Sequence, residues 1–332
     1  MTLPKVAFIG TGGTIASIGI GPLDIQDYGA AGNVMQADAI LARFPETSAV
    51  ADVLAVPYRN IPSPQIGFTD WKNLCDICLR LEREHPDLAG IVIGHGTATL
   101  EETAYFLNLT LRTRIAVVIV GAQRPSSALS TDAGLNLVNA IRVAADPASR
   151  GLGVLVVLND EIHPARDVTK TSTARMQTFR SADFGALGHV DTDVVAYYRH
   201  PLRRHAPDTE FDIAGLAALP RVDIALSHTD ADGTAIRAFM AAGARGIVSA
   251  GFAPGMGTPA ETEALREAVA AGIIVVQSTR AGSGRVFPGT RLREFGFLVA
   301  DNLLPQKARL LLALALTRTS DPLEIQRLFQ VY

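Results

Sequence analysis

Three short stretches of this chain bring hydroxyls, glycines and a lysine to the ends of apolar runs. In 8-FIGTGGTIAS-17, Thr14 stands behind two glycines that let backbone approach a ligand closely. A threonine hydroxyl so placed is a nucleophile once a neighbour takes its proton. In 94-GHGTATLEETAYF-106, Thr97 and Thr99 fall where a strand passes into a helix, and free amides at a helix N-terminus make an anion or oxyanion site. A plainer reading uses the same residues: Thr97 or Thr99 caps the helix, and Glu101 or Glu102 completes a capping box. In 157-VLNDEIHPARDVTKTST-173, an irregular polar segment after a strand, Lys170 lies among Thr169, Thr171 and Ser172. A surface lysine stays solvated and charged, whereas one desolvated beside a hydroxyl loses its proton and acts as a base. The sequence alone leaves both open.

Other chemistries find little support. Counted from Gly10, a dinucleotide-binding G-x-G-x-x-G needs glycine at position 15, which is Ile15, and no acid follows about 20 residues on in a clear strand context. No HExxH, phosphate-binding P-loop or GxSxG elbow occurs, and the seven histidines show no metal spacing. Cys75 and Cys78 form a C-x-x-C, but it lies mid-helix with no second Cys or His pair for zinc, so both read as packed thiols.

The elements that must hold these stretches form a regular alternation. Short apolar runs, 6-VAFIG, 52-DVLAVPY, 90-GIVIGH, 116-AVVIVGA and 153-GVLVVLND, are separated by helical patterns such as 68-FTDWKNLCDICLRLEREH, 100-LEETAYFLNLTL and 133-AGLNLVNAIRVAAD. Near-continuous Val/Ile/Leu strands alternating with helices predict a parallel sheet covered on both faces. In such sheets ligands bind beyond the carboxyl ends of the strands, which is where Thr14 and Thr97 fall. The polar stretch 199-RHPLRRHAPDTEFD-212 reads as a connection between residues 1–198 and 213–332. After it the alternation resumes with 222-VDIALSH, 246-GIVSAGF and 273-IIVVQST, closed by helical patterns over 305–319 and 321–332.

At 332 residues, 48% hydrophobic and 19% charged, the chain suits two domains of a compact protein. The net charge of -3 with scattered Lys and Arg argues against nucleic acid and for a small-molecule partner. The longest aliphatic tract, 310-LLLALAL-316, is too short to span a bilayer, and the N-terminus runs straight into a strand with no basic, cleavable segment. These features predict no membrane partner and a cytoplasmic location, unless a leader has been removed.

Taken together, TGGTIA at 11–16, HGT-x-T-x-EET at 95–103, VGAQRPSSALSTDAGLNLVNA at 120–140, RDVTKT at 166–171, SAG at 249–251 and PQKARLLLALALT at 305–317 resemble the bacterial L-asparaginase/glutaminase family over essentially the whole chain. The resemblance implies an α/β fold of two domains, the larger N-terminal one a parallel sheet with a left-handed crossover and the smaller C-terminal one α/β. It also implies a homotetramer of intimate dimers and cofactor-free, metal-free amide hydrolysis. Carried onto this sequence, Thr14 is the nucleophile, Tyr28 assists it, and Thr97 with Lys170 forms a hydroxyl and base pair. Ser63 contacts a substrate carboxylate, while Gly13, Gly96 and Ala98 line the substrate, with N–H groups near Gly13 and Ala98 holding the oxyanion.

The sequence departs from that family where a substrate α-ammonium would be held. The family turn reads HGTDT, and here its aspartate is Ala98. The expected glutamine after Ser63 is Pro64, with Gln65 displaced by one, and 278-STRAGSGRVFPGTRLRE has no acid before Glu294. The stretch after SAG reads 252-FAPGMGTP in place of an asparagine-bearing loop. These changes predict a carboxylate-bearing amide or ring amide without a free α-ammonium. An ordinary asparaginase/glutaminase and a catalytically weak binder are the alternatives. Arg280, Arg285 and Arg291 suggest a second anionic group on the substrate, or are solvated interface arginines.

Overall fold

The structure, a computed structural model, describes residues 2–30 and 32–332. They form two compact units, residues 1–210 and 211–332. The segment expected as a connection, 199–212, therefore lies with the first unit for all but its last two residues. Ala206 N donates to Asn108 O at 2.9 Å, and Thr209 Oγ1 donates to Leu109 O.

In the first unit, β1 (Lys5–Gly10), β2 (Asp52–Val56), β3 (Leu88–Gly94), β4 (Ala116–Val120) and β5 (Val154–Leu158) are parallel, in the order β2-β1-β3-β4-β5. Between them run α1 (Ala37–Arg43), α2 (Phe68–Glu84), α3 (Leu100–Thr110) and α4 (Ala133–Ala145). Apart from the edge strand β2, strand burial is nearly complete, with Ile91, Val92 and Ile93 fully enclosed, as continuous aliphatic runs require when helices cover both faces. On α2, Trp71 stacks on Phe106 of α3 at 4.5 Å between ring centroids and donates from Nε1 to Thr103 Oγ1 at 2.9 Å. Both cysteines are buried there, and burial pushes the Cys75 thiol up to about 12 and the Cys78 thiol up as well. A thiol that cannot ionise is a packing group, as its mid-helix position predicts.

The sheet is mixed, which corrects the parallel-sheet expectation. Beyond β5 it continues through β6 (Glu161–Pro164), and, after the separate two-stranded ribbon β7 (Thr169–Lys170) and β8 (Phe179–Arg180), through β9 (Gly188–Val190) and β10 (Val195–Tyr197). These outer pairings are antiparallel. The cause is local: Asn159 and Asp160 both adopt positive φ, 51° and 63°, making a two-residue turn that returns the chain beside β5. Residues 157–173, read as irregular, are therefore a hairpin followed by the strand that carries Lys170.

The second unit has a four-stranded parallel sheet, β11 (Val222–Leu226), β12 (Gly246–Gly251), β13 (Ile274–Thr279) and β14 (Leu298–Val299), in that order. Its helices are α5 (Thr234–Ala241), α6 (Pro259–Ala270), α7 (Thr290–Glu294), α8 (Pro305–Ala315) and α9 (Pro322–Val331). No helix among the described residues is long and apolar enough to cross a membrane.

Candidate active site

Register sets the site. Gly10 pairs with Gly94, Gly94 with Val120, and Val120 with Val157, so four strand ends of the first unit lie level. The order β2-β1-β3-β4-β5 reverses direction between β1 and β3, and open sheets of this order bind ligands at that switch point. The TGGT and HGTAT turns leave from those two strands.

Two glycines let the turns meet. Gly13 has φ 84°, and a Cβ on it would lie 2.3 Å from Gly96 Cα; a Cβ on Gly96 would lie 2.8 Å from both Cβ and Oγ of Ser63. Glycine at 13 and 96 thus allows three segments, from the ends of β1, β2 and β3, to close on one point. Ser63 is buried there, and its carbonyl accepts from Thr99 Oγ1 at 2.7 Å.

Thr14 begins a short 3-10 turn, Thr14–Ala16, and is half-buried. Its hydroxyl lies 2.9 Å from Tyr28 Oη. Opposite, Thr97 Oγ1 accepts from Lys170 Nζ at 2.8 Å, while Lys170 N donates to Glu101 Oε2 at 2.9 Å. Burial lowers the pKa of Lys170, and the carboxylate of Glu101 opposes that shift. Each hydroxyl that could act on an electrophile is therefore paired with a group able to exchange a proton with it. The capping reading of this turn fails: Thr99 occupies the N-cap of α3 with no side-chain cap, its hydroxyl being used on Ser63. Among the described residues the N–H groups of Gly13 and Ala98 have no acceptor, as an oxyanion site needs. The Ala98 side chain is exposed.

The next layer was not legible as chemistry. Asp132 accepts from Gln123 N at 2.9 Å, Arg124 N at 3.0 Å and Asn136 Nδ2 at 3.0 Å. Asn136 also donates to Gly121 O at 3.0 Å. Gly121 packs behind the catalytic-looking turn, since a Cβ there would meet Thr97 Cγ2 at 2.8 Å. Ser126 Oγ donates to Ile15 O at 2.5 Å, and Leu129 N to Pro22 O at 2.8 Å, tying the 124–130 segment to the loop that carries Tyr28. The spacing of these residues inside 120–140 was the available signal, but only partners in space give it meaning.

Arg280, Arg285 and Arg291 have partners within the second unit. Arg280 donates from Nη1 to Ser227 O at 3.0 Å and lies 4.6 Å over the Phe252 ring; Arg285 pairs with Asp301; Arg291 lies 5.4 Å over Phe295. No cluster of His, Cys, Asp and Glu suited to a metal ion occurs among the described residues.

Comparison with known proteins gives the family and the fold. The profile of the family described as "Asparaginase, N-terminal" matches residues 5–203, and that of the "Glutaminase/Asparaginase C-terminal domain" matches residues 221–329. The chain is 41% identical to L-asparaginase 2 of Bacillus subtilis, over 99% of this chain and 87% of that one. It is 38% identical to the glutaminase-asparaginase of Pseudomonas fluorescens, over 99% of this chain and 91% of that one. Its fold is similar to the crystal structure of a probable cytoplasmic L-asparaginase from Campylobacter jejuni, with TM-score 0.92, 37% identity and 99% of each chain covered.

Proposed function

The chain belongs to the asparaginase family of amidohydrolases, and from that premise we propose that Thr14 opens a carboxamide or ring amide on a carboxylate-bearing substrate lacking a free α-ammonium. The observation that carries the mechanism is the pairing of two hydroxyls with separate proton partners, Thr14 with Tyr28 and Thr97 with Lys170. Thr14 Oγ1 attacks the carbonyl carbon as its proton passes to Tyr28 Oη, which gives its own proton on to the leaving nitrogen. The oxyanion is held by the N–H groups of Gly13 and Ala98. The C–N bond breaks, and the nitrogen leaves with a proton, as ammonia or as the amine of an opened ring. Water then attacks the acyl-enzyme, its proton relayed through Thr97 to the neutral amine of Lys170; the C–O bond to Thr14 breaks, the proton returns to Thr14 Oγ1, and the acid is released.

The substrate reading rests on Ala98, whose side chain offers no acceptor to a cation. Leaving a half-buried ammonium without acceptors costs about 3 kcal/mol, roughly two decades of affinity. The reading also expects a homotetramer of dimers, with Ser63 on the substrate carboxylate and Gly96 lining the pocket.

Steady-state kinetics on L-asparagine, succinamic acid and N-acetyl-asparagine test this. The expected order puts one of the latter two at least tenfold above L-asparagine in kcat/KM, with Thr14→Ala inactive on all three. Efficient turnover of L-asparagine alone would favour the second reading, an ordinary asparaginase, for which the names of the relatives speak.

A further inference from the structure

We infer that Glu101 is a positioning residue of this site: its carboxylate anchors the backbone of Lys170 so that the lysine side chain meets Thr97, and its charge acts on that side chain. The inference rests on the proposed role of Lys170 as the base beside Thr97.

The geometry closes a ring. Thr97 and Glu101 are four residues apart across the start of α3, close to one helical turn. Lys170 reaches both, giving Nζ to Thr97 Oγ1 at 2.8 Å and its own N–H to Glu101 Oε2 at 2.9 Å. Glu101 is 8% exposed, so its charge acts through a medium that screens little. The two links fix different things. The backbone bond pins β7 to the first turn of α3, and so fixes where the lysine side chain starts. The charge acts on Nζ, favouring the ammonium while burial favours the amine. The chain neighbours of Thr97 are Gly96 and Ala98, so no acid adjoins it along the chain.

Two arginines on the surrounding elements are engaged elsewhere. Arg180, on the strand paired with β7, donates from Nη1 to Glu161 Oε1 at 3.1 Å, and Glu161 also lies 3.1 Å from His163 Nε2. Arg166 pairs with Asp167 at 3.1 Å in the turn before β7, and Glu102 follows Glu101 on α3. Of these groups, the charge that acts on Lys170 is that of Glu101.

An uncharged but isosteric side chain separates the two roles. Glu101→Gln keeps an oxygen for the Lys170 N–H and removes the charge, whereas Glu101→Ala removes both. The 332-residue chain has four lysines, Lys5, Lys72, Lys170 and Lys307, so a titration followed by NMR of lysine labelled with carbon-13 at Cε resolves them, with Lys170→Arg assigning the signal. Glu101→Gln is expected to move the Lys170 midpoint further down, and to move the rising limb of kcat/KM against pH in the same direction. Glu101→Ala is expected to lose roughly 10–100-fold in kcat, as a misplaced catalytic group does. A Lys170 midpoint unchanged in Glu101→Gln overturns the inference, whatever the activity. If Lys170→Met and Thr97→Ala keep full activity, the proposed role of Lys170 fails instead; the NMR shift still decides whether Glu101 controls its charge.

Discussion

The histidine between Gly94 and Gly96 shows how one residue of the site is supported without taking part in proton transfer. His95 is fully buried, its Nδ1 lies 2.8 Å from Gly96 O, and burial pushes its pKa down to about 4. Held at that value, the ring is neutral across the working range and its Nδ1–H fixes the peptide leading to Thr97. In the unfolded chain the ring titrates near 6.5. Between about 4 and 6.5 the unfolded state therefore binds more protons than the folded one, and stability is lost as pH falls through that window. The loss approaches about 3 kcal/mol at pH 4. His95→Asn keeps a donor where Nδ1 stands and removes the titration. Urea unfolding at pH 7 and pH 4 should show the parent losing about 3 kcal/mol more than the variant; equal losses would mean His95 is charged in the folded protein. Types and spacing made Thr14, Thr97 and Lys170 visible in the sequence because their hydroxyls and amine sit beside turns. Glu101 looked like half of a capping box, and only the position of Lys170 N revealed it as something else.

At the scale of elements, the sequence was legible where the chain is buried on both sides and obscure where it is not. Aliphatic runs made β1 to β5 readable, and glycine at 12 and 13 marked the turn after β1. Strands β9 and β10 are three residues each and partly exposed, so no apolar run announces them. The β5–β6 turn uses Asn-Asp in place of the commoner Asn-Gly, and that pair was read as polar loop. What positions the site most is the join between β4 and α4. Asp132 gathers three donors from Gln123, Arg124 and Asn136, and this turn backs Thr97 through Gly121. Asp132→Ala leaves two backbone N–H groups without their charged acceptor and is expected to destabilise the protein by about 3 kcal/mol. Because the turn backs Thr97, the proposed proton relay, kcat should fall while KM for substrate changes little. Denaturant midpoints and steady-state kinetics check both; a loss confined to KM would place this turn against the substrate instead.

At the scale of the whole molecule, apolar exposure is the remaining unexplained cost. Ile20 is 92% exposed and Leu23 82%, in the loop that carries Tyr28, and Leu129, in the segment hydrogen-bonded to that loop, is 67% exposed. Isolated exposed aliphatics are ordinary, but several on two segments joined by a backbone hydrogen bond are candidates for burial against another surface. Burying each such side chain stabilises by about 2 kcal/mol, so covering a few of them supplies the free energy for a lasting interface. The tetramer implied by the family resemblance would provide that cover, and it would link the order of the Tyr28 loop to assembly. Light scattering on a sizing column should then give about 141 kDa, four times the chain mass of 35.2 kDa. Ile20→Asp with Leu23→Asp should lower the mass and the activity together, leaving the far-ultraviolet circular dichroism of the fold unchanged. A fully active 35 kDa species would show that the loop closes over substrate unaided, and that its aliphatic residues face the ligand side and not another copy of the chain.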